Sequence, residues 1–128
     1  MSDTASARVA ATPRTALLAL GDLALIALFV FLGQQEHGTE GLLMVAAPFL
    51  IGWLLVAPLV GLYDGRQYDL KTTVGLTAGA WVGAALIGQA LRATEFFPGG
   101  LAIAFVIVSI VVGLVLLVPF RALVAYAT

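Results

Sequence analysis

The chain contains no cysteine, a single histidine and few charges of either sign. Without cysteine there are no disulfides, thiolate metal sites or cysteine nucleophiles, and the redox compartment is left open. Only 10% of the 128 residues are charged, against about 25% in soluble domains, while 62% are apolar and the mean hydropathy is +1.09. That composition excludes an ordinary soluble domain. A formal net charge of −1 argues against nucleic acid as a partner. The length holds one domain, residues 1–128, and its apolar residues form several long runs, so a soluble domain with one anchor is excluded as well.

Catalytic chemistry is equally sparse. His37 lies in a polar connection away from Ser109, so no nucleophile constellation is visible. No glycine loop of the phosphate-cradling kind is present either. His37 with Glu36 and Glu40 is a poor metal-ligand set and reads as a solvated loop, so no metal is expected. An enzyme is the least expected class, and no cofactor is specified.

What is abundant is apolar sequence in span-sized pieces. A helix needs about 20 mostly apolar residues to cross a bilayer. Four windows qualify, Thr15–Gly33, Leu42–Leu62, Thr72–Arg92 and Leu101–Ala122, giving helices at about 13–33, 42–62, 72–92 and 101–123. Lipid cannot satisfy free backbone groups, so each span is helical, and the runs lack the alternation of a barrel. The expected architecture is an all-α integral membrane four-helix bundle. Its connections are short, which makes consecutive helices antiparallel neighbours.

Thr12 reads as the N-cap of the first helix, with Pro13 at its first position. A cleaved signal peptide is not expected: the run is long, contains Asp22, and leads into Gly33-Gln34-Gln35-Glu36 instead of a small-residue cleavage site. Arg8, Arg14, Arg66, Lys71 and Arg121, five of the six basic residues, fall on one side of the bundle. That side should be the cytoplasm, with both termini there, in a cell membrane crossed several times. Arg92 stands at the opposite end, where it can reach headgroups or pair with Glu95 or Glu36 as a structural residue. Tyr63, Tyr68 and Tyr126 fit interfacial positions.

Inside lipid, helices associate through close packing of small residues. The third helix carries Gly75, Gly79 and Gly83 at four-residue spacing, and the fourth offers Ser109 and Gly113. The packing rule places the glycine face inside the bundle; a homodimer interface is the competing use. Pro48 and Pro58 in the second helix predict a tolerated kink.

Asp22 is the most informative residue. An aspartate near the middle of a span costs about 2.5–3.5 kcal/mol, so it should face inward toward a partner. It serves either as a proton carrier or ligand anchor, or simply as a tie between helices. Trp53 and Trp81 lie about 14 Å into their helices, near the midplane, where their indole N–H groups need acceptors. With Thr77 and Ser109 they complete a set of one polar or semi-polar group per helix around Asp22.

Gly21-Asp22, the Gly33-Gln34 and His37-Gly38 loop, Pro48-Phe49 with Gly52-Trp53, and the glycine-rich third helix ending near Arg92 resemble one family. It is the family called domain of unknown function 3054, small four-span proteins of haloarchaea and actinobacteria. The resemblance covers nearly the whole chain, implies a four-helix membrane architecture and supplies no activity.

Three functions remain open. The first is a non-enzymatic accessory or oligomerising membrane component, partnered by lipid and by a second copy or a membrane subunit. The second is a small proton-linked or solute transporter using Asp22. The third is a binder of an apolar cofactor, such as a quinone or polyene, between Trp53 and Trp81.

Overall fold

A computed structural model of the protein describes residues 9–34, 42–95 and 103–127. They form four helices: α1 (Pro13–Gln34), α2 (Leu42–Leu59), α3 (Leu70–Arg92) and α4 (Ile103–Ala127). No strand occurs among the described residues. α3 packs against α2 and α4, and α1 closes the ring against α4 and α2. α3 and α4 run antiparallel, since Trp81 meets Gly113, Gln89 meets Ser109, and Arg92 meets Phe105 as the two helices are followed in opposite directions. The expected all-α helical bundle is what the chain forms.

The bundle is apolar outside as well as inside, with a few polar groups buried within it. Leu17, Leu20, Leu54, Ile107 and Val115 point outward, while Asp22, Gln89, Ser109 and Arg121 are buried. An apolar surface this continuous is the surface lipid favours. Three helices are long and apolar enough to cross a membrane, α1, α3 and α4, and α2 is apolar but shorter. These features associate the protein with a membrane.

Local signals explain where the helices begin and end. The Thr12 hydroxyl accepts the Thr15 N–H at 3.2 Å, capping α1 ahead of Pro13. Asp69 accepts the Thr72 N–H at 3.0 Å, so α3 begins at Leu70, two residues earlier than its hydropathy suggests. α4 continues to Ala127, four residues beyond the expected end.

α2 passes Pro48 as helix and stops at Leu59, just after Pro58, not at residue 62. The Leu62 N–H bonds the Ala57 carbonyl and the Gly61 N–H bonds the Pro58 carbonyl, with Gly61 at φ +95°. This is a Schellman stop, which needs a left-handed residue at the position Gly61 occupies. It folds Leu62 and Tyr63 back into the bundle. Tyr63 is therefore buried, contrary to its expected interfacial place, whereas Tyr126 is 82% exposed.

The centre is an aromatic cluster. Phe29 meets Phe49 and Trp81 edge-on, and Phe105 stacks on Phe29. Close helix approach is carried by Gly113, as expected, and by Gly52, which the packing pattern did not single out. A Cβ at Gly52 would overlap the Ala84 carbonyl, so α2 and α3 touch backbone to backbone there. Gly75 and Gly79, by contrast, are not packed by the fold: a Cβ on either would meet nothing within 4 Å. The expectation that the glycine stripe packs inside the bundle is thus corrected for these two residues. Gly83 is half-buried and a Cβ there would make only ordinary contact with Val56. The reason is helix rotation: α3 buries the adjoining stripe of Thr77, Ala80, Trp81, Ala84, Ala85 and Gly88.

Candidate functional site

Asp22 stands nine residues into α1, about 13 Å along it. It is fully buried and meets Arg121 of α4, which is 5% exposed. The guanidinium donates through Nε to Oδ1 at 3.1 Å and through a terminal nitrogen to Oδ2 at 2.6 Å. This fork-on-fork geometry matches the planar donors of arginine to both carboxylate oxygens. Arg121 also reaches the Leu62 carbonyl at 3.4 Å, and its charge lies 5.2 Å from the Tyr63 ring centre.

Tyr63 supplies the third donor, its hydroxyl bonding Asp22 Oδ2. That hydroxyl accepts in turn from the Trp53 indole N–H at 2.7 Å. Tyr63 lies in the connection after α2, where burial, and then the neighbouring Asp22 charge, push its hydroxyl above the ordinary range. It stays protonated and donating. The network therefore joins α1, α4, the α2 stop and α2 itself, with the carboxylate filled on both oxygens.

Two spaces border the network, one small and polar and one open and apolar. A polar crevice lined by Arg14, Arg66, Tyr68, Thr73 and Arg121 encloses about 30 Å³, enough for a water or two. On the other side, Ala10, Ala16, Ala19, Leu54, Pro58 and Tyr63 line an open apolar groove of about 600 Å³.

A second polar group lies nearer the other end of the bundle. The Trp81 indole donates to the Ser109 carbonyl at 3.0 Å, and the ring is seated directly on Gly113, where any Cβ would overlap it. Gln89 Nε2 donates to the Ser109 hydroxyl at 3.1 Å, which itself bonds the Val106 carbonyl at 2.8 Å. Gln89 Oε1 has no partner among the described residues.

The expected mid-depth set is thus split in two. Asp22 and Trp53 share one network through Tyr63, while Trp81 and Ser109 belong to the other. Thr77 joins neither: it is fully buried, and its hydroxyl has no hydrogen-bond partner among the described residues. The Trp53 and Trp81 ring centres lie 6.5 Å apart, tilted by 48°, and the two rings pack on each other. Sequence reasoning missed Arg121, Tyr63 and Gln89. For Arg121 a signal existed, since a basic residue followed by Ala122-Leu123-Val124-Ala125 continues an apolar run and needs an internal partner as much as Asp22 does.

Among the described residues no three His, Asp or Glu side chains gather as a metal site. The His37 loop, with Glu36 and Glu40, lies outside the described residues. No curated protein and no solved structure matches the chain. The family model described as a protein of unknown function, DUF3054, matches residues 19–124, a stretch that holds the whole Asp22–Tyr63–Arg121 network. The chain belongs to the DUF3054 family.

Proposed function

We propose that this chain is a four-span membrane protein with cytoplasmic termini, and that it works by assembly, docking on a second copy of itself through the outer face of α3. The observation that carries this reading is the bare backbone at Gly75 and Gly79. Both glycines have free space where a side chain would stand, and the fold of the single chain uses neither. Glycine is a poor helix former, and facing lipid it packs nothing. Facing another helix, it permits the close contact that drives association in membranes.

The Asp22 network supports the same reading from the other side. Its carboxylate is tied to three donors, and the polar crevice beside Arg121 holds only about 30 Å³, which suits a tie between helices. A transport role built on Asp22 needs that ion pair to open.

The test is Gly79→Leu, at a position with open space beyond the backbone. Wild-type protein in vesicles should photobleach in two steps, and the variant in one, with the variant still folded by its helical circular dichroism. Two-step bleaching retained in Gly79→Leu removes the proposal. Proton or solute flux that disappears in Asp22→Asn would put transport in its place.

A further inference from the structure

The far end of the bundle, where α3 ends and α4 begins, holds polar groups that the Asp22 network does not use. Arg92 is the last residue of α3, where a cation ordinarily reaches out to water or headgroups while favouring the helix dipole. Here it is folded back: it is 9% exposed, and its guanidinium stands 4.5 Å from the Phe105 ring centre. Its Nε is buried without an acceptor, and no described carboxylate pairs with it. Gln89, three residues earlier on the same helix side, is 3% exposed and has an Oε1 without a described donor. Among the described residues, the last turn of α3 therefore lacks both an acceptor for a cation and a donor for a carbonyl.

Phe105 also borders an open apolar groove of about 480 Å³ between α1 and α4, lined by Phe29, Leu32, Ala104, Phe105, Val108 and Val112. Arg92 does not line the groove but touches Phe105, which does. A cation thus stands one ring away from an apolar groove, a pairing complementary to an anion that carries a hydrocarbon chain. We propose that Arg92 and Gln89 bind the headgroup of an anionic phospholipid whose acyl chain lies in the Phe105 groove. The phosphodiester oxygens accept from the guanidinium, for which their geometry is suited. A headgroup hydroxyl, as in a glycerol ester, supplies the donor that Gln89 lacks. The apolar groove favours a lipid over a free anion, which would leave those walls uncovered.

The test titrates purified protein with phosphatidylglycerol and with phosphatidylcholine of the same chains, counting bound lipid by native mass spectrometry. Wild type should bind one phosphatidylglycerol at least tenfold tighter than phosphatidylcholine. Arg92→Gln should lose that preference and Arg92→Lys keep part of it, which separates lost charge from lost fold. Val108→Trp, which fills the groove, should weaken both lipids. An unchanged preference in Arg92→Gln overturns the proposal, as does unchanged binding in Val108→Trp. Glycerol phosphate competing as well as the intact lipid would mark a free-anion site and overturn it too. A preference seen only after Glu36→Gln and Glu40→Gln would show that a carboxylate of the chain occupies the site, and would equally overturn the proposal.

Discussion

Removing one member of the Asp22–Arg121 pair should destabilise the protein far more than removing both. In Asp22→Leu the guanidinium stays buried, with the Leu62 carbonyl at 3.4 Å as its one remaining described acceptor, and the Tyr63 hydroxyl loses its own. A buried charge stripped of its partner costs about 3–5 kcal/mol. Arg121→Met leaves the Asp22 carboxylate with Tyr63 alone and should cost a similar amount, so independent effects would sum to about 6–10 kcal/mol. In the double variant neither charge is left buried. What remains is the Tyr63 hydroxyl without an acceptor, at about 1–3 kcal/mol. The coupling between the two positions should therefore be about 3 kcal/mol or more, at the upper end for contacting residues. Reversible unfolding of the four proteins in mixed detergent micelles by SDS titration measures the cycle. A double variant as unstable as the sum of the singles refutes the reasoning, because the two side chains would then not be acting on each other.

Gly113→Ala should destabilise by about 1–3 kcal/mol and shift the Trp81 fluorescence, since its methyl group overlaps the indole and must displace it. Unchanged emission would refute that seating. The Asp64–Arg66 turn should loosen only in acid. Desolvation raises the Asp64 carboxyl, but the Arg66 side-chain and backbone N–H bonds at 2.9 and 3.0 Å outweigh it and hold the group below its ordinary 3.8. A lowered folded value means the stabilisation is complete above pH 3.8 and is lost as pH falls through the folded value. Hydrogen exchange at the Arg66 amide, corrected for intrinsic rate, should accelerate below that point, and Asp64→Asn should abolish the dependence.

Much of this architecture was legible in local sequence. Apolar runs long enough for a bilayer force helices, because the backbone has no other partner in lipid. Thr12-Pro13 marks the start of α1, and an aspartate within such a run must find a donor. The Pro58 and Gly61 stop could have been read too, as a helix end with a left-handed residue after it. The sequence by itself determined the elements and the need for a buried partner. Only the tertiary structure decided which residue answers that need and which face of α3 is covered. Arg121 lies 99 positions from Asp22, and Tyr63 reaches it only because the chain turns back at Gly61. On α3 the stripe Gly75–Gly79 and the stripe Ala80–Ala84 lie side by side, both small enough to admit another helix. A rotation of about 100°, one residue's turn, exchanges such stripes. Contacts with α2 and α4 fix that rotation, and no local pattern encodes it.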